Sequence, residues 1–282
     1  MGQIIGVIMT AISSIFRETS TAIGKIEIRE HHESIYSMGF LSLMIVTIVF
    51  VAIAFIDEGG IHIHPDSYGL LGARIGLDIV GTYLSLVAIK KATRSTMSFF
   101  RLITVPLILI VDVIIGYTIS VASFFGMGIV LVGLGFLFFS HGTSRKGIGW
   151  VLAQATLATA TFSLFKYNID TYNTIASEQA VATMVMLVVA FIMAFVVRRE
   201  GFREIIWKKS HLGQSFLAAI SSTLASFAFN FASPSVLVTV KRGSDIIASV
   251  ISGNMVFHEK HLAKKLTALA VVIGGLVLLA LG

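Results

Sequence analysis

Ten apolar segments, each about 20 residues long, follow one another along this chain with short connections between them. A segment of that length can cross the hydrocarbon core of a bilayer as an α-helix. Hydrophobic residues make up 56% of the 282 residues and charged residues only 13%, a balance that excludes an ordinary soluble domain. The predicted spans lie near residues 3–23, 37–56, 69–89, 97–117, 121–140, 148–168, 179–197, 212–232, 236–257 and 264–281.

Helices fit these segments better than the strands of a barrel. Backbone N–H and C=O groups inside a bilayer must be paired within the protein, and long apolar runs with internal glycines are typical of packed helices. Gly126, Gly128, Gly133 and Gly135 all fall in the fifth segment. The sequence therefore predicts an all-α integral membrane protein with ten transmembrane helices.

The chain also carries an internal duplication. Residues 101–137 align with residues 242–278 without a gap, and residues 10–17 match residues 159–166 at a slightly different offset. We assign residues 1–143 to a first repeat and residues 144–282 to a second, with five spans each. Because five is an odd number, the two repeats must cross the membrane in opposite orientations, which is typical of secondary transporters.

Loop charges predict the orientation of the chain. Fifteen of the twenty-one Lys and Arg residues lie in the loops after odd-numbered spans. By the positive-inside rule these loops face the cytoplasm, which places both termini outside. The net charge of +6 is explained in this way and indicates no nucleic-acid partner.

Six cations remain within or at the margins of the predicted spans, where a charge is expected to face the protein interior or a water-filled cavity. The duplication relates Arg17 to Lys166 and Arg101 to Arg242, and it predicts that the first member of each pair approaches one face of the membrane and the second the opposite face. Snorkelling to the headgroups is the alternative for Arg17 and Lys166. The predicted substrate-binding residues are Arg101, Lys241, Arg242, Arg17 and Lys166, and the sixth cation is Arg74.

Three intramembrane acids are candidates for proton or ion coupling. Asp78 stands four residues after Arg74, and Asp245 three residues after Arg242, so each shares a helix face with a cation that could simply neutralise it. Asp112 has no cation at such a spacing on its own helix, which makes it a candidate proton or cation site.

Signatures of an enzyme are weak. His258 and His261 lack the four-residue spacing of the zinc metalloprotease helix, and His62 with His64 beside Pro65 is more typical of a solvated turn than of a metal site. The chain has no cysteine and no phosphate-binding glycine loop. We therefore expect no catalytic residue, no metal and no cofactor.

The final two spans resemble a known family. The segment is Val-Lys-Arg-Gly-Ser-Asp-Ile-Ile-Ala-Ser-Val-Ile-Ser-Gly-Asn-Met-Val-Phe-His-Glu, residues 240–259, followed by a basic loop and a helix with Gly274 and Gly275. It resembles the drug/metabolite transporter superfamily, EamA type, which implies ten helices in two inverted five-helix repeats. Lys241 and Arg242 are similar to the Lys-Arg pair of the plastid phosphate translocators, which implies that they bind an anion. Thr118 stands where many relatives have Glu, and those relatives usually have cytoplasmic termini.

These observations favour a secondary transporter of a small metabolite, anionic or amphoteric, that works by alternating access through a central cavity. The alternative is a membrane-embedded enzyme or ligand-binding protein built on the same helical bundle. The expected partners are the lipid bilayer and a small-molecule substrate, with a proton or ion for coupling, in a monomer or homodimer. The direction of transport and the coupling ion are left open.

Overall fold

The computed structural model describes residues 2–31, 34–91, 100–139, 147–197, 209–257 and 262–281. Ten α-helices and no strand occur among these residues, which confirms the all-α class. The helices are α1 (Gly2–His31), α2 (Ile35–Glu58), α3 (Tyr68–Lys91), α4 (Thr104–Ile115), α5 (Val121–Phe139), α6 (Ile148–Thr171), α7 (Ile175–Phe191), α8 (Lys209–Ala228), α9 (Pro234–Phe257) and α10 (Leu262–Leu281).

Each predicted span overlaps one of these helices, but several ends differ. α1 continues to His31, beyond the predicted end at residue 23, because hydropathy stops at polar residues that a helix readily accommodates. α7 begins at Ile175 rather than at residue 179, and a π-helical stretch, Ile192–Val197, continues it. A short 3₁₀ turn, Arg101–Ile103, leads into α4.

Local signals account for the helix ends. The side chain of Ser34 accepts a hydrogen bond from the backbone N–H of Tyr36 at the start of α2, and Thr174 accepts one from Ser177 at the start of α7. Gly59 and Gly116, with φ of 72° and 98°, end α2 and α4 in the left-handed conformation that glycine adopts without a steric penalty.

Three helices among the described residues are long and apolar enough to cross a membrane: Tyr36–Glu58, Ile148–Thr171 and Ile175–Val197. Between 22% and 39% of their most apolar windows are buried within the protein, so much apolar surface faces outward, as lipid contact requires. Val121–Gly133 and Ala270–Leu281 are shorter apolar helices. The other predicted spans stay predictions, as does the division of the sequence at residue 143.

The chain forms two compact units. Unit 1 comprises Met1–Ala11, Gly76–Lys166 and Ala228–Gly282, and unit 2 comprises Ile12–Ile75 and Tyr167–Phe227.

Unit 1 has an apolar core contributed mainly by α4, α5, α9 and α10. In the packing of α5 against α10, Gly126 lies against Gly275 and Leu279, while Val130 lies against Gly275. Because the residue numbers rise on one helix as they fall on the other, these two helices are antiparallel.

The pair α4 and α9 in unit 1 is antiparallel as well. Arg242 donates a hydrogen bond from Nε to Oγ1 of Thr104 (3.3 Å), and the backbone N–H of Ser235 donates one to Oδ2 of Asp112 (2.7 Å). The start of α4 therefore lies beside the middle of α9, and its end lies beside the first turn of α9.

Unit 2 contains the third such pair, α2 and α7. Glu58, at the end of α2, accepts a hydrogen bond from Ser177 in the first turn of α7 (2.9 Å). Phe40, near the start of α2, packs edge-on against Phe195, with ring centroids 5.1 Å apart. The two helices therefore run in opposite directions.

Candidate functional site

Arg101 and Arg242, which the predicted duplication relates, both form a hydrogen bond with the hydroxyl of Thr104, Arg101 through its backbone and Arg242 through its side chain. This hydroxyl donates a hydrogen bond to the backbone oxygen of Arg101 (2.7 Å) and accepts one from Nε of Arg242 (3.3 Å). The two arginines therefore lie at one level of unit 1. The expectation that they approach opposite membrane faces stays a prediction.

The guanidinium of Arg101 is held by neutral side chains. Nε donates to Oε1 of Gln154 on α6 (3.2 Å), and Nη2 donates to Oγ of Ser85 on α3 (3.2 Å). The side chain is half-buried. These two neutral partners help to fix the orientation of the planar guanidinium, whose forked donors suit an anion.

Lys241, the neighbour of Arg242, extends to a different helix. Its ammonium lies over the ring of Phe162 on α6, 5.6 Å from the centroid, within the range of a cation–π interaction. Phe162 stacks in turn on Phe229, with centroids 6.0 Å apart. Consecutive residues of α9 thus connect it to α4 and to α6.

Lys166 is buried, with 8% of its surface exposed, and its ammonium lies 5.8 Å from the centroid of the Tyr117 ring. Burial argues against the snorkelling alternative for this lysine, since a snorkelling side chain keeps its charge in water. The ammonium is also close enough to Asp112 for the two charges to interact.

The side chain of Asp112 is fully buried. One carboxylate oxygen accepts the backbone N–H of Ser235 and so caps the first turn of α9, where an anion is stabilised by the helix dipole. The other oxygen, Oδ1, has no hydrogen-bond partner among the described residues. A buried carboxylate with an unsatisfied oxygen is a plausible place for a proton or a cation.

Three predicted residues remain. Arg17 is exposed and lies in the part of α1 that belongs to unit 2. Asp78 on α3 and Asp245 on α9 are half-buried and belong to unit 1, and Asp245 follows Arg242 by three residues. We use the name α4–α9 site for five described residues of unit 1, Arg101, Lys166, Lys241, Arg242 and Asp112.

A buried ion pair in unit 2 was missed by the sequence analysis. Arg74 donates from Nη1 to Oε1 of Glu178 (2.6 Å), and both side chains are almost wholly buried. Asn168 and Asn173 donate to the same carboxylate at 3.4 Å and 3.3 Å. Glu178 escaped attention because hydropathy placed the start of the seventh span at residue 179, one residue too late to count it as intramembrane.

Metal ligands do not gather in the described part of the chain, where no group of three or more His, Asp or Glu side chains could hold an ion. His258 and His261 lie outside the described residues.

Comparisons with known proteins show the fold alone. No protein-family model matches the chain, and no curated protein matches it. Twenty-eight solved chains match its structure. One, described only as "Crystal structure of protein", matches with a TM-score of 0.73 at 13% sequence identity, over 98% of this chain and 98% of its own. The helical arrangement is therefore shared with a solved structure, and the chemistry must be argued from the residues of this chain.

Proposed function

We propose that this protein is a secondary transporter with ten transmembrane helices in two inverted five-helix repeats. It moves a small anionic or amphoteric metabolite by alternating access, and the α4–α9 site binds the substrate. The observation that carries this proposal is that the hydroxyl of Thr104 bonds both the backbone oxygen of Arg101 and the guanidinium of Arg242, two residues at corresponding positions of the proposed repeats.

Antiparallel packing of corresponding helices supports the inverted repeat. The pairs α2 with α7, α4 with α9, and α5 with α10 each join the same position of the first and second repeats, and each pair is antiparallel. Corresponding helices run in opposite directions when an in-plane pseudo-two-fold axis relates the repeats.

The charges of the α4–α9 site favour an anion. Arg101, Lys166, Lys241 and Arg242 contribute four cations from the described part of unit 1, where the carboxylates are those of Asp78, Asp112 and Asp245. Two of the ammonium groups lie over aromatic rings, which stabilise a cation while leaving it able to attract an anion. The resemblance to EamA-type transporters points to the same function.

The apolar helices support a location in the membrane, and the loop charges favour termini outside the cytoplasm. Asp112 is the proposed position of the coupled proton or cation. The protein acts as a monomer or homodimer without cofactor.

Transport by purified protein in proteoliposomes tests this proposal. A thermal-shift screen against sugar phosphates, nucleotides, amino acids and cationic drugs first identifies a ligand, because a ligand that binds the folded state raises the apparent melting temperature. Uptake of that ligand is then measured for the wild type and for Arg101→Gln and Arg242→Gln. We expect each substitution to lower uptake by roughly tenfold or more, the effect of losing one charge-assisted hydrogen bond.

Lys91→Gln is the matched control, since it removes one positive charge at an exposed position on α3. Its uptake should stay within about twofold of the wild type, because an exposed charge contributes little. Wild-type uptake by both arginine variants, with unchanged melting temperatures, would remove the α4–α9 site from the mechanism.

A further inference from the structure

A second candidate site lies in unit 2, where the end of α2 meets the start of α7. A cavity of about 770 Å³ opens there, between the loop after α2 and the loop before α7. Its volume is within the range of small-molecule sites, roughly 300–1,000 Å³. Its walls combine a carboxylate from Glu58, the aromatic side chains His64, Tyr68 and Tyr172, and apolar side chains such as Leu71 and Val181.

The cavity has the opposite charge to the α4–α9 site. No lysine or arginine is among the described residues that line it, and Glu58 supplies a carboxylate. That carboxylate is held in place from both sides, since it accepts hydrogen bonds from Oγ1 of Thr174 and from Oγ of Ser177 (2.9 Å). An ionised carboxylate has about four lone-pair positions, so two remain for a ligand.

Aromatic side chains line the same cavity as this carboxylate. The ring of His64 stacks on Tyr172, with centroids 5.7 Å apart and planes inclined by 28°, and Tyr68 exposes 61% of its surface. The faces of such rings carry partial negative charge and attract cations, most of all quaternary ammonium groups.

The loop that carries His64 is fixed before any ligand arrives. The backbone N–H of His64 donates to Oδ1 of Asn173 (3.0 Å), and the backbone N–H of His62 donates to Oγ of Ser177 (2.9 Å). A cavity that is already ordered avoids much of the entropic cost of binding.

We propose that this cavity binds an organic ammonium ion with an apolar body. The ammonium group lies between the Glu58 carboxylate and the faces of Tyr68 and Tyr172, and the apolar body contacts Leu71 and Val181. This site is additional to the proposed transport of an anion. It can be tested independently of that function, because the residues that form it belong to unit 2.

Isothermal titration of the purified full-length chain with benzyltrimethylammonium tests the assignment. Benzoate and benzyl alcohol present the same ring with a negative charge and with no charge. We expect benzyltrimethylammonium to bind at least about tenfold more tightly than either, since the carboxylate and the aromatic faces both favour a cation. Equal or tighter binding of benzoate or benzyl alcohol overturns the proposal.

Variants then locate the site. Glu58→Gln and Tyr172→Leu should each weaken benzyltrimethylammonium binding by about tenfold, and Tyr172→Phe should retain it because the aromatic face remains. Asp57→Asn is the matched control: it removes the carboxylate next to Glu58 in the sequence, at an exposed position that is not among the residues lining the cavity. Unchanged binding in both Glu58→Gln and Tyr172→Leu, or an equal loss in Asp57→Asn, contradicts the assignment. Arg101→Gln and Arg242→Gln should bind this probe like the wild type, which separates the result from that of the transport assay.

Discussion

At the scale of single residues, the two carboxylate oxygens of Asp112 differ in their hydrogen bonding. Oδ2 caps the first turn of α9 through Ser235, whereas Oδ1 is buried without a hydrogen-bond partner in the described residues. Capping alone requires only an acceptor, which a neutral amide also provides. The cap therefore does not require the charge of Asp112. The charge has two other possible uses, the interaction with the buried Lys166 ammonium and the coupling of a proton or cation.

Asp112→Asn separates the cap from the charge. The amide oxygen can still accept the Ser235 N–H, so we expect the variant to keep the cap and to lose only the stability that the interaction with Lys166 contributes. If the carboxylate carries the coupled proton or cation, the variant should still exchange labelled for unlabelled substrate across a proteoliposome membrane. It should no longer concentrate substrate in response to an imposed ion gradient. Uptake and exchange measured on the same vesicles check this.

Asp112→Ala provides the comparison, because it removes both the charge and the cap. We expect it to lose about 1 kcal/mol of stability, the usual contribution of a helix N-cap, in addition to the loss of coupled uptake. Concentrative uptake by Asp112→Asn at the wild-type level would leave Asp112 as a capping residue only.

The sequence alone identifies some of these residues but not their hydrogen-bond partners. Asp112 is recognisable as an acid inside an apolar segment with no cation one helix turn away, because both features lie within that segment. Its contact with the backbone of Ser235 was not predictable, since 123 residues separate the two and no side-chain pattern marks a backbone donor. Glu178 lies one residue before the predicted seventh span, so hydropathy does not count it as an intramembrane charge. In the structure its side chain is wholly buried.

At the scale of helices, the packing of α5 against α10 depends on glycine at the point of contact. A Cβ atom added to Gly275 would lie 2.7 Å from Cγ2 of Val130 and 2.9 Å from the backbone oxygen of Gly126. Backbone atoms cannot move aside as a flexible side chain can. Close approach of two helices at small residues is the usual basis of tight packing in membranes.

Gly275→Ala should therefore destabilise the protein, by about 1–3 kcal/mol as for other overpacked contacts. The adjacent Gly274→Ala is a matched control, since nothing lies within 4 Å of a Cβ atom placed there. It should be neutral or slightly stabilising, because alanine favours a helix more than glycine does. Thermal unfolding of the two variants in detergent compares them, and equal melting temperatures would contradict the contact.

The helices themselves were largely predictable from the sequence, whereas their pairing was not. An apolar segment of about 20 residues predicts the position of a helix, because the thickness of the bilayer sets that length. The rotation of α10 about its axis decides whether Gly274 or Gly275 faces a neighbouring helix. Hydropathy does not indicate this angle, because the segment Ala270–Leu281 is apolar on all sides. The contact at Gly275 is therefore visible only in the structure.

At the scale of the whole molecule, the proposed inverted repeat predicts on which side of the membrane each loop lies. The loop after α2 and the loop after α7 occupy the same position in their repeats, so an inverted duplication places them on opposite sides of the membrane. Loop charges agree: the first of these loops has no Lys or Arg, whereas residues 198–209 contain five. The loop before α7 lies on the same side as the loop after α2, because Asn173 accepts a hydrogen bond from the backbone N–H of His64.

Cysteine labelling tests this topology cleanly, because the natural chain has no cysteine and each variant reacts at one position. Intact cells are treated with a membrane-impermeant maleimide. We expect Asp66→Cys and Thr171→Cys to be labelled, and Lys91→Cys and Arg199→Cys to be labelled only after permeabilisation. Labelling of Asp66→Cys and Arg199→Cys from the same side would refute the inverted repeat. Reversal of all four results would preserve the inversion and place the termini in the cytoplasm, as in the transporters that the final two helices resemble.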